Sequence, residues 1–111
     1  MNLCIDFDNP IIKKDCVLEI TPKDLDNFYS KSNRSDKFNL LFVILASIHH
    51  YLDEEDLARA AHLCFLASYY LFNPLTPPGS YKLALYYIKK AIELNDCVQY
   101  HEWQDNIMCK N

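Results

Sequence analysis

Apolar residues recur along this chain at two spacings, and the change from one to the other divides it. Leu3, Ile5 and Phe7 alternate with Cys4 and Asp6, and Val17, Leu18 and Ile20 make a second short apolar run. Alternation with period two suits short strands or an extended arm, and Asn9-Pro10 separates the two runs. Two short strands are marginal by themselves, so this arm, residues 1–20, must pack on something else. From Thr21 the apolar positions fall three and four apart, and residues 21–111 read as helical.

Thr21-Pro22-Lys23-Asp24 supplies an N-cap, a proline at the first helical position and an acid in the first turn. It predicts a short helix to about residue 31 that buries Leu25, Phe28 and Tyr29. A second helix starts near Ser35-Asp36 and carries Phe38, Leu41, Ile44 and Ile48. Its middle is apolar on nearly every side, which predicts a central helix surrounded by others. The acids at 53–56 head a third helix reaching about residue 72. Its small residues Ala60, Ala61, Cys64, Ala67 and Ser68 permit close contact with a neighbour. Three prolines within residues 73–79 interrupt the helical pattern. Ser80 then caps a fourth helix to about residue 94, and a fifth spans residues 97–109. The expectation is a single, mainly α domain: a small helical bundle or helical array of four to five helices with a short extended or β N-terminal arm.

The fourth helix resembles the second helix of a tetratricopeptide repeat. Tyr81, Ala84, Ile88 and Ala91 stand at the offsets of that family's aromatic, small, bulky and Ala positions, with Leu94 three further on. Leu63, Leu66, Ala67 and Tyr70 are similar to the first-helix pattern. The resemblance covers about one repeat, residues 60–96, with an insertion around residues 74–79 and Asp96 in place of the terminal proline. It implies a helical surface that binds a peptide or protein, and no catalysis.

Charge and composition then narrow the function classes. Fifteen acidic against 11 basic side chains give a formal net charge of −4, whereas a nucleic-acid-binding domain clusters Lys and Arg against phosphates. One glycine, Gly79, leaves no Gly-rich loop to cradle a phosphate. Cys4, Cys16, Cys64, Cys97 and Cys109 are odd in number and show no CxxC spacing, against a disulfide framework. The first residues lack a signal-peptide profile, and the longest apolar stretch, residues 38–48, falls short of the roughly 18 residues a membrane span needs. These features predict a soluble cytoplasmic protein with reduced thiols, no membrane association and no nucleic-acid partner.

Catalytic chemistry finds little support. Cys97 and His101 are four apart and share a helix face, but His62 and Cys64 are two apart and diverge, and no ligand pair has zinc-finger spacing. Buried cysteines beside surface histidines explain the same residues without a metal. Nothing lowers a thiol pKa or builds an oxyanion site, and neither Gly-x-Ser-x-Gly nor His-Glu-x-x-His occurs. The Arg-then-His spacing of the small helical HEPN ribonucleases is also missing, since Arg59 meets His62 too soon. The expectation is no enzyme, no cofactor and no metal.

Two features point to a protein partner. Asp53, Glu54, Glu55 and Asp56 exceed what helix capping needs, and the surplus can attract a cationic surface. Eight Tyr and one Trp include the pairs Tyr69-Tyr70 and Tyr86-Tyr87, whose members diverge by about 100° on a helix and cannot share one core wall. Tyr69, Tyr86, Tyr87 and Trp103, with Leu83 off the packing face, are the candidate interface residues beside the four acids. The function expected is a small acidic module that occupies a basic partner's surface, concretely an immunity or antitoxin-type inhibitor of a toxin such as a nuclease. The alternatives are a peptide-binding chaperone or adaptor of repeat-like type, and a metal or thiol enzyme using His62, Cys64, Cys97 and His101.

Overall fold

The computed structural model describes residues 10–109. Six helices follow in order: α1 (Lys14–Val17), α2 (Pro22–Lys31), α3 (Arg34–Asp53), α4 (Leu57–Phe72), α5 (Ser80–Leu94) and α6 (Val98–Cys109). The chain is a small all-α bundle, as the helical spacing predicts, with no strand among the described residues. The alternating run at Leu3, Ile5 and Phe7 lies outside those residues. The second run, expected to be extended, instead forms the single turn of α1 and the bend after it. The cause is spacing: Val17 and Ile20 are three apart, so one helical turn aims both inward at 0% and 2% exposure while Leu18 stays out.

Local hydrogen bonding sets the helix ends. Thr21 and Asp24 form a reciprocal capping box on α2: the Asp24 amide donates to Thr21 Oγ1 and the Thr21 amide to Asp24 Oδ2. Asn33 caps α3 by accepting from the Asp36 amide at 2.8 Å, so that helix starts a residue or two before the expected Ser35-Asp36. Asp56 caps α4. Gly79, rather than Ser80, is the N-cap of α5; its φ of 80° is a left-handed conformation that glycine adopts without a Cβ penalty.

The central helix is α4, which corrects the expectation for α3. Its small residues Ala60, Ala61, Cys64, Ala67 and Ser68 are all fully buried, so neighbours approach it from several sides. Helices α1, α2, α3 and α5 all pack on it, and α6 packs on α5. Helix α3 is peripheral: Leu40, Ile44 and Ile48 face the core while Phe42 is 64% exposed. The uniformly apolar middle of α3 therefore marks a helix with one apolar face in water. Between α4 and α5, the Ser68 hydroxyl donates to the Ala84 carbonyl at 2.7 Å and Ala84, Ile88 and Ala91 are fully buried, whereas Tyr70 serves the other side of α4, donating to the Lys37 carbonyl of α3 and standing edge-on to Tyr29 of α2.

The irregular chain ahead of α2 is held by side chains of the two helices beneath it. The Ile12 amide donates to Ser47 Oγ (2.9 Å), and the Tyr51 hydroxyl donates to the Ile12 carbonyl (2.6 Å). Arg59 Nε donates to the Lys14 carbonyl, and His62 Nε2 donates to the Ile20 carbonyl at 2.7 Å. These bonds satisfy backbone groups that no helix or sheet serves, while Ile12, Val17 and Ile20 fill the core below. Fixing residues 10–20 in this way also places Pro22, at the start of α2, beside α6.

Candidate functional site

Tyr69 and Trp103 are distant in sequence and the fold brings them together. Tyr69 sits on α4 and Trp103 on α6, with ring centroids 5.1 Å apart and ring planes inclined at 48°. They border a solvent-open groove of about 280 Å³ between the start of α2 and α6, floored by Phe65 and walled by Pro22. Gln99, Glu102 and Asn106 complete its edge. These three and Trp103 stand at i, i+3, i+4 and i+7 on α6, one face of a helix.

Both polar aromatics are fixed by internal bonds. The Tyr69 hydroxyl donates to the Asp26 carboxylate, at 3.0 Å and 2.8 Å from its two oxygens. Burial and the Asp26 carboxylate together push its hydroxyl up to about 12, so it stays a donor across the physiological range. Trp103 Nε1 donates to Ser68 Oγ at 2.9 Å, and the Phe72 ring stands against the indole at 84°. Ser68 thereby ties α4, α5 and α6 together directly under the groove. The two rings are preorganised.

The other expected interface residues lie apart from this groove. Leu83 and Tyr86 on α5 are 45% and 58% exposed. Tyr87 is half-buried and packs edge-on against Tyr86, with centroids 5.1 Å apart. A shallow surface of about 450 Å³ runs along the same helix past Tyr81, Leu85 and Tyr86, flanked by Lys82 and Lys89. This lysine-flanked face differs in charge from the α6 groove.

The acidic turn divides into two roles. Asp53, Glu54 and Glu55 are exposed. Asp56 is the α4 N-cap, accepting from the Arg59 amide and pairing with Arg59 Nη1 at 2.9 Å. Hydrogen bonds from Arg59 hold its carboxyl below the usual range against the opposing effect of burial. Glu55 occupies the left-handed position of a Schellman-type helix end at φ 59°, with the Asp56 amide donating to the Tyr51 carbonyl. Glycine is the easier residue there, so the turn retains a carboxylate against local strain.

The thiol and histidine candidates are not assembled into a site. Burial pushes the Cys64 thiol up to about 12, which leaves it protonated at neutral pH. His101 Nε2 bonds the Asp96 carboxylate, and His62 is committed to the Ile20 carbonyl. No group of three or more His, Cys, Asp or Glu side chains among the described residues is arranged to hold a metal ion. No helix among them is long and apolar enough to cross a membrane.

Sequence reasoning singled out Tyr69 and Trp103 but missed Phe65, Gln99, Glu102 and Asn106. The α6 face was readable once that helix was placed. Its opposition to α4 and α2 was not, because nothing in the spacing says which helices pair. No protein-family model, curated protein sequence or solved structure matches this chain.

Proposed function

We propose that this chain is an acidic cytoplasmic binding module that works by occupying a partner's basic surface. The concrete form is an immunity or antitoxin-type protein that covers a basic toxin such as a nuclease. The observation that carries the reading is the open groove in which Tyr69 and Trp103 are held rigid beside carboxylates. Large, immobilised aromatics lose little entropy on docking and are frequent interface anchors. The net charge of −4 and the exposed Asp53, Glu54 and Glu55 favour encounter with a cationic protein. Binding rather than catalysis is the activity, with no cofactor.

The test is affinity capture from the native cell lysate at low and moderate salt, followed by association kinetics with the captured protein. A single basic partner released as salt rises supports the reading, with slower association for the Asp53→Lys, Glu54→Lys, Glu55→Lys variant. No captured protein, together with a metal or small molecule bound to the purified chain, overturns it.

A second reading, a peptide-binding adaptor consistent with the repeat resemblance, is favoured by the lysine-flanked face of α5. It requires Tyr86→Ala to weaken peptide binding at an unchanged melting temperature.

A further inference from the structure

We infer that the groove between α2 and α6 is a receptor for a guanidinium group, the side chain of one arginine presented by the partner. This rests on the binding-module reading and names the group recognised at its centre.

Tyr69 and Trp103 offer ring surface to a flat cation, and both are locked in place by bonds to Asp26 and Ser68. A cation over an aromatic ring is attracted by its quadrupole, most strongly by Trp, and a planar guanidinium can also stack on it. The polar edge carries one carboxylate, Glu102, and two amides, Gln99 and Asn106, whose oxygens can accept. The Glu102 carboxylate has no partner among the described residues, and the Gln99 and Asn106 amide oxygens lie one helical turn to either side. No Lys, Arg or His lines the groove.

Alternative cations fit this edge less well. A quaternary ammonium has no N–H to give and leaves Glu102, Gln99 and Asn106 without donors. A lysine ammonium is a compact, strongly hydrated point charge that uses ring surface poorly. Guanidinium carries five donors around a flat face, and it meets both the rings and the acceptors. The volume of about 280 Å³ holds one such side chain rather than an extended peptide.

The chain supplies its own reporter, because Trp103 is the single tryptophan. Its emission is followed while the folded full chain is titrated with N-acetyl-arginine amide, the neutral isostere N-acetyl-citrulline amide, N-acetyl-lysine amide and tetramethylammonium chloride, at constant ionic strength. The expected result is half-saturation by the arginine compound at a concentration at least about five-fold below each of the others. Glu102→Gln is expected to remove most of that preference over citrulline without changing the melting temperature, since Glu102 is exposed. Equal responses to arginine and citrulline, an equal or stronger response to tetramethylammonium or lysine, or a preference untouched by Glu102→Gln each overturn the assignment.

No partner enters this titration. Its failure beside a successful lysate capture refutes guanidinium recognition alone. Its success beside a failed capture, with a metal or small molecule bound to the purified chain, refutes the binding-module reading and leaves a site for a guanidinium from another source.

Discussion

Replacing Ser68 with alanine tests whether one hydroxyl holds three helices in register beneath the groove. Ser68 is fully buried, donates to the Ala84 carbonyl at 2.7 Å and accepts from Trp103 Nε1 at 2.9 Å. The Ala84 carbonyl lies inside α5 and keeps its helical partner, so its loss is the smaller one, about 0.5–1 kcal/mol. The indole N–H is half-buried with no other acceptor among the described residues, and leaving it unpaired costs about 1–2 kcal/mol. Together Ser68→Ala is expected to destabilise the fold by about 2 kcal/mol. For a domain of this size that lowers the melting temperature by roughly 10 °C. Circular dichroism at increasing temperature reads the first quantity, and Trp103 emission at 25 °C should shift to the red as the ring loosens. Ser30→Ala is the control: its hydroxyl bonds the Asn27 carbonyl at an exposed position, and its removal should change stability by less than about 0.5 kcal/mol. A Ser68→Ala melting temperature within about 3 °C of the parent, with unchanged emission, would falsify the claim that Ser68 organises this site.

Three further perturbations probe other parts of the structure. Burial lowers the pKa of His62 below its unfolded value near 6.5, so its contribution to stability is complete above that pH and declines as pH falls through it. The urea midpoint should therefore drop between pH 7.5 and 5.5, and His62→Gln should flatten that part of the profile; an unaltered slope would contradict the assignment. Tyr51→Phe removes the buried 2.6 Å bond to the Ile12 carbonyl and should cost about 1–2 kcal/mol in urea unfolding. An unchanged midpoint would show that this bond does not anchor the N-terminal segment. Glu55→Gly relieves a side chain at φ 59° and should raise stability by about 0.5–1 kcal/mol, whereas Asp56→Ala removes the α4 cap and should lower it by about 1 kcal/mol. Thermal melts showing the same sign for both would refute the division of the acidic turn into strained and capping members.

The helices were legible in the chain because their signals are local. Thr21, Pro22 and Asp24 carry their capping box within four residues, and Ala84, Ile88 and Ala91 declare the buried face of α5 by spacing alone. Two boundaries moved for equally local reasons: Asn33 caps α3 ahead of Ser35, and Gly79 precedes Ser80 at the start of α5. The rank of the helices was harder to read. An apolar run such as residues 38–48 signals burial only if neighbours exist on every side, and in this fold the small residues of α4 attracted those neighbours instead. The run Val17-Leu18-Glu19-Ile20 offers either the strand-like pair Leu18 and Ile20 or the helical pair Val17 and Ile20, and the bonds from Ser47, Tyr51, Arg59 and His62 that settle the path come from 35 to 45 residues away. The groove is non-local in the same sense. Tyr69 and Trp103 were recognisable as anchors by type, while Glu102 and Gln99 acquire meaning only once α6 lies across α4.

Docking of a partner at the α2–α6 groove can be read by site-specific photocrosslinking in cells. Benzoylphenylalanine is placed at Gln99 on the groove edge and, as a comparison, at Phe42 on the exposed outer face of α3. One crosslinked basic protein is expected from position 99, absent from position 42 and lost when Tyr69→Ala is added. The same adduct from position 42 would place the interface elsewhere on the bundle, and an adduct at 99 that survives Tyr69→Ala would remove Tyr69 as its anchor.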